Sequence, residues 1–129
     1  MANVVVISDT EQFLAEYDKV RAADDMFIVY LTGSVNEETG KSWCPDCDVA
    51  RPNITEHVLG KTGLKVLKGV VEERNSWVGV KTHPYKVHPI IKAGGVPCVL
   101  LAQKDQILMR AEDEKDFENL DLLGEIANP

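Results

Sequence analysis

Met26-Phe27-Ile28-Val29-Tyr30-Leu31 is an unbroken apolar run between Asp24-Asp25 and Thr32-Gly33-Ser34. Six residues bounded by turn signals make a strand rather than a helix. A strand apolar on both faces has to be covered on both faces, so it belongs at the centre of a sheet that lies between helices. The rest of the chain can be arranged around it. Val4 to Ile7 reads as a first strand. Ser8-Asp9-Thr10-Glu11 has the capping-box form, and Phe13, Leu14, Tyr17 and Val20 follow at helical spacing, predicting a helix that stops near Ala23 to Asp25. A polar loop, Thr32 to Ser42, leads to a second helix from Cys44 to about Leu59, with Gly60 as its stop and Pro52 as a kink within it. Leu64 to Val71 is a third strand.

Glu72 to Gly95 is broken by Pro84 and Pro89, and its pattern predicts only a short irregular helix over Tyr85 to Lys92. Val96 to Leu101 reads as a strand that begins with a proline, followed by a turn at Gln103-Lys104-Asp105 and a strand from Gln106 to Met109. A last helix, Asp113 to Ala127, carries Phe117, Leu120, Leu123 and Ile126 on one side. The order β-α-β-α-β-α-β-β-α predicts an α/β protein. Right-handed crossovers give parallel strands and the closing hairpin adds an antiparallel edge, giving a central mixed sheet with helices on both faces. No repeat, linker or low-complexity tract divides it, so residues 1–129 are expected to form one domain.

Chemistry concentrates in Trp43-Cys44-Pro45-Asp46-Cys47. Cysteines three apart at a helix start lie on the same side of its first turn, within reach of a disulfide. A thiol at a helix N-terminus is favoured as the thiolate by unpaired amides and the helix dipole, so Cys44 is the expected nucleophile and Cys47 the resolving thiol. Half of a zinc site uses the same spacing. Its completion would require about two more ligands, and only Cys98, His57, His83 and His88 remain, with no second CxxC and no HxxxH. A dithiol without metal or bound cofactor is the reading adopted. Asp46 places a negative charge beside both thiols and opposes the helix terminus, which points to a thiol pKa nearer roughly 7 than roughly 3.5, and so to a reductase. Asp46 is equally explained as an acid that suits a helix start. Pro45 fits the first helical turn, where its missing N–H costs nothing.

The formal net charge of −7 argues against nucleic acid or an anionic membrane as partner, and for a self-repelling monomer. With 44% apolar residues the chain has material for a core without disulfide staples. Three cysteines, an odd and low number, suit a reducing compartment. The start of the chain lacks the basic and long apolar regions of a secretory signal, so the cytosol is the expected location.

Trp-Cys-x-x-Cys between the second strand and second helix, a proline eight residues after the first cysteine, and Gly95-Val96-Pro97 opening a late strand resemble the thioredoxin fold. Thr32-Gly33-Ser34, the long polar loop, Gly40-Lys41-Ser42-Trp43-Cys44-Pro45-Asp46-Cys47 and the region of Trp77 are similar to one branch of it, the Clot or thioredoxin domain-containing protein 17 family. The resemblance implies a cytosolic disulfide oxidoreductase. It would be kept reduced by thioredoxin reductase with NADPH, and would act on small disulfides such as cystine and on selected protein disulfides or nitrosothiols. It also implies that Pro97 is cis and faces the dithiol, with the Val96 backbone free to pair with an extended substrate; otherwise Pro97 is a plain strand-start proline. Two features limit what the resemblance carries over. Cys98 stands where Thr usually follows the proline in the family, and is read as a buried small hydrophobe. Phe27 to Leu31 holds none of the buried Asp of ordinary thioredoxins, an absence in keeping with the Clot group, so no carboxylate is assigned as proton acceptor for Cys47.

Trp43 reads as a partly exposed platform beside the substrate, with a core aromatic as the alternative. Trp77 is either a loop anchor or part of a substrate rim, and His57, His83 and His88 read as structural or exposed. The competing function is a redox-inert adaptor of the same fold, contacting a protein through Trp43 and the acidic loop.

Overall fold

The structure, a computed structural model, describes residues 3–129. Its five-stranded sheet has the spatial order β1-β3-β2-β4-β5. β1 (Asn3–Ile7), β3 (Lys65–Val71) and β2 (Phe27–Gly33) run parallel, while β4 (Cys98–Gln103), expected from the crossover pattern to be parallel, is antiparallel to β2 and to β5 (Gln106–Ala111), because the segment between β3 and β4 returns the chain at the same end of the sheet. All seven residues of β2 are buried, as expected of the central strand. Its alternate residues serve two cores. Phe27, Val29 and Leu31 join Phe13 and Tyr17 of α1 (Thr10–Arg21) on one face. Ile28 and Tyr30 join Ala50 and Ile54 of α2 (Pro45–Ile54) on the other.

Several boundaries differ from those the sequence predicts. The cap of α1 is Asp9, whose Oδ1 accepts the Gln12 amide at 2.9 Å, rather than Ser8. The second helix keeps α bonding only to Ile54 and continues as a π turn over Thr55–Leu59 that ends at Gly60. Pro52 cannot bond the Asp48 carbonyl, and the register changes just beyond it. Between β3 and β4 lie two single turns, α3 (Arg74–Trp77) and α4 (Pro84–Val87); only the first part of the helix expected over Tyr85 to Lys92 forms. Pairing of β4 begins at Cys98, two residues later than Val96. The last helix is two, α5 (Glu114–Glu118) and α6 (Leu120–Ala127). Asn119 leaves helical geometry between them, and its side chain caps the second by accepting the Leu122 amide at 3.1 Å. At the other end of the hairpin Lys104 has φ 51°, the left-handed geometry of a tight turn.

Trp77 is a buried anchor. Its ring meets His83 edge-on at 4.8 Å and carries the Lys86 ammonium 4.4 Å from its centroid.

Candidate active site

The loop after β2 closes on itself before it reaches the cysteines. Ser34 donates its amide to Val71 O (3.0 Å) and its hydroxyl to Glu72 O, while Asn36 N donates to Lys41 O (2.8 Å), and Gly40, at φ 72°, donates to Asn36 O. Gly40 is where the loop reverses, in a conformation that costs glycine little. Val35 and Ser42 then pair as a short antiparallel bridge. The returning strand is clamped by Asp48 of α2, whose two carboxylate oxygens accept the Ser42 amide at 3.0 and 3.1 Å and whose Oδ1 accepts from Arg51 at 2.8 Å. These bonds hold the Asp48 carboxyl below its ordinary range, the Ser42 amide contributing most and Arg51 next.

Trp43 follows, half-buried against the core on the α1 side, with its indole N–H donated to Val71 O at 2.8 Å. It has features of both its alternatives, being anchored in the core and still partly exposed. Cys44 caps α2. Its Sγ accepts the Cys47 amide at 3.2 Å, its own amide donates to Ser42 Oγ at 3.0 Å, and Pro45 occupies the first helical turn. The two sulfurs are joined as a disulfide, with Cα atoms 5.2 Å apart. Cys44 is 6% exposed and Cys47 fully buried, where its Sγ accepts the Gly33 amide at 3.4 Å. Any sulfur arriving from solvent meets Cys44 first.

Opposite the cysteines, Val96-Pro97 is a cis peptide and the Val96 carbonyl oxygen lies 3.4 Å from Cys44 Sγ. Val96 precedes the first paired residue of β4, so the sheet does not consume its backbone groups. Pro97 is buried, and with exposed Asp46 it borders a cleft of about 260 Å³ between α2 and α5. Cys98, the next residue, is a free buried thiol, its pKa pushed far up by burial and further by the charge of Glu112.

Glu112 and Arg110 were not singled out by the sequence. Glu112 accepts the Gly94 amide at 2.6 Å and pairs with Arg110 at 2.9 Å, while Arg110 donates to Ile91 O at 2.6 Å. Together they tie the segment ahead of Val96-Pro97 to β5. Only their same-side spacing at the end of a strand hinted at this, because their partners lie in the part of the sequence with no readable pattern. Asp48 was missed for another reason: an acid in the first turns of a helix is usual, and nothing local shows that it reaches back to Ser42.

The side of β2 that faces α2 carries Tyr30, and Lys68 of β3 sits beside it, Nζ 5.5 Å from the centroid of the Tyr30 ring. Burial, with Arg51 second, lowers the Lys68 pKa. Among the described residues, no three His, Cys, Asp or Glu side chains gather to hold a metal ion, and no helix is long and apolar enough to cross a membrane.

Comparison with known proteins agrees with this geometry. Residues 6–127 match the family described as thioredoxin domain-containing protein 17-like, thioredoxin domain. The thioredoxin-like protein Clot of Arabidopsis thaliana is 32% identical over 95 residues, covering 69% of this chain and 66% of that protein. A protein named acireductone dioxygenase from Leishmania infantum is 32% identical over 119 residues, which make up 88% of this chain and 32% of that protein. The chain thus spans about a third of the length of the Leishmania relatives it matches. Among solved structures, oxidised thioredoxin O2 of Arabidopsis thaliana superposes with a TM-score of 0.62 at 15% identity, over 98% of this chain and 96% of that one. That likeness is one of fold.

Proposed function

The chain belongs to the thioredoxin domain-containing protein 17-like family of thioredoxin folds, and from that premise we propose that it is a disulfide reductase of the cytosol. Its dithiol supplies two electrons. The Cys44 thiolate attacks one sulfur of a substrate disulfide, the substrate S–S bond breaks, and the first thiol leaves with a proton from solvent. Cys47 gives up its proton and attacks Cys44 Sγ, breaking the mixed disulfide and releasing the second thiol. The protein is left with a Cys44–Cys47 disulfide, and for each dithiol oxidised in this way one substrate disulfide is reduced to two thiols.

The observation that carries this reading is the Cys44 sulfur at the N-terminus of α2, bonded to a neighbour that solvent does not reach. The helix start favours the attacking thiolate, and burial reserves Cys47 for the internal step. The Val96 carbonyl beside Cys44 gives an extended substrate a backbone edge to lie against, and Pro97 closes the other side. Trp43 and Asp46 frame the approach, and Pro45 fixes the helix start. Small disulfides such as cystine and selected protein disulfides are the proposed substrates, with thioredoxin reductase and NADPH restoring the dithiol and the protein acting as a monomer. The test is cystine-dependent NADPH consumption with thioredoxin reductase. Turnover that vanishes in Cys44→Ser supports the proposal, and no turnover in the native protein removes it in favour of the adaptor.

A further inference from the structure

The cleft beside the dithiol carries charge of one sign only. Its floor is Val49, Ala50, Pro97 and Phe117, and its carboxylates are Asp46, Glu112, Glu114 and Glu118, with no Lys or Arg among its walls. Arg110 answers Glu112 and Arg51 answers Asp48 nearby, yet among the described residues no ion pair reaches Asp46, Glu114 or Glu118. Glu114 and Glu118 stand one helical turn apart on α5, a like-charge pair that weakens its own helix. A bound cation would relieve that repulsion. Val49 of α2 lines the same cleft and is 70% exposed, an apolar surface on which the methylene stem of a long basic side chain can lie with its charged end towards the glutamates.

The cleft is part of the dithiol site rather than a place apart. Asp46 lies between the two cysteines, and Pro97 follows the carbonyl that faces Cys44 Sγ. A peptide lying along Val96 with its half-cystine at Cys44 therefore sends a neighbouring side chain past Pro97 into the acidic wall. At about 260 Å³ the cleft is smaller than the usual pocket for a drug-sized molecule and suits a side chain or two. We propose that this cleft selects its substrates, favouring protein disulfides in which a Lys or Arg flanks the attacked half-cystine. The inference rests on the redox reading of Cys44 and Cys47. The exchange is the one already given, two electrons passing from the dithiol to the substrate disulfide, and the cleft alters only which disulfide is presented.

The test uses disulfide-linked peptide dimers that differ only in the residue beside cysteine, which is Lys, Gln or Glu. Single-turnover reduction by the pre-reduced full chain is measured for each at low salt, and each rate is divided by that with free dithiothreitol to remove intrinsic differences in reactivity. A cleft of one sign raises the encounter rate with an opposite charge by about tenfold or more. The Lys dimer is expected to react at least about tenfold faster than the Gln dimer, with the Glu dimer slowest. The advantage should shrink towards unity in about 1 M salt, where screening acts within about 3 Å. In the Glu114→Gln/Glu118→Gln variant the Lys advantage should fall below about threefold while the Gln dimer keeps its native rate. Equal normalised rates for the three peptides, or an undiminished Lys preference in the variant, overturn the inference and leave the redox reading standing. Failure to reduce any of the three overturns both.

Discussion

Gly33 is the last residue of β2, and a methyl group added there would enter the dithiol turn. Its Cβ would lie 2.9 Å from Ser42 Oγ, 2.9 Å from the Trp43 ring and 3.0 Å from Cys44 Cβ. Comfortable carbon contacts are about 3.5–4.0 Å, so Gly33→Ala forces these three residues back by about half an ångström or more. Overpacking of this kind costs about 1–3 kcal/mol, or about 4–12 °C in melting temperature at about 4 °C per kcal/mol for a chain of this size. Displacement of a reacting group by about 1 Å can cost about a hundredfold in rate, so single-turnover reduction of cystine, followed by tryptophan fluorescence, should slow by about tenfold to a hundredfold. Gly69→Ala is the matched control. Its Cβ would meet Leu31 Cδ2 at 2.8 Å and the Phe13 ring at 3.1 Å, in the core on the α1 side, so it should lose similar stability and keep its reduction rate within about twofold. If both variants lose stability and Gly33→Ala still reduces cystine at the native rate, the claim that the dithiol is held by close packing against β2 is wrong.

Asp48 has a depressed pKa in the fold, so its contribution to stability is whole above the unfolded value of about 4 and is lost as pH falls through the folded one. Denaturation measured across pH should find Asp48→Asn less stable at neutral pH and with a flatter acid limb than the native protein. His83 and His88 accept backbone amides through Nδ1, and burial lowers the pKa of each. Below about pH 6.5 the unfolded chain therefore binds protons first, stability declines until the folded-state pKa values are reached, and the slope should be smaller in His83→Gln/His88→Gln. Cys98 is buried with its thiol pKa raised and Cys47 is fully buried, so a neutral alkylating agent at pH 8 should modify Cys44 of the reduced native protein and the other two cysteines only after unfolding, as mass spectrometry would record.

The parts of the fold legible in the sequence are those where one local pattern has one solution. Met26 to Leu31 could only be a covered strand, and the paired cysteines before a helical pattern could only sit at its start. The turn expected at Gln103-Lys104-Asp105 is there too, tightened to Lys104-Asp105 because Gln103 still pairs in β4. The errors arise where a competing local interaction wins. Asn119 lies within an apolar periodicity that continues undisturbed from Phe117 to Ile126, and its side-chain cap starts a new helix without breaking that pattern. Asp9 and Ser8 are both good caps, and the sequence offers no means of choosing between them. The stretch from Glu72 to Gly95 is held by Trp77, His83, Lys86 and the Arg110–Glu112 pair, contacts at spacings that fit neither a helix nor a strand and so leave no periodic trace. The acidic cleft was hidden for the same reason, since α2 and α5 meet only in three dimensions.

The account stands on one exchange, and counting thiols measures it directly. Fully reduced protein is treated with one equivalent of cystine at neutral pH, quenched with acid and alkylated, and its intact mass and cysteine peptides are determined. Loss of two free thiols, a Cys44–Cys47 link, Cys98 recovered as the one alkylated thiol and two equivalents of cysteine are the expected result, with a stable Cys44–cysteine adduct in Cys47→Ser. Three free thiols and intact cystine after treatment would contradict the account.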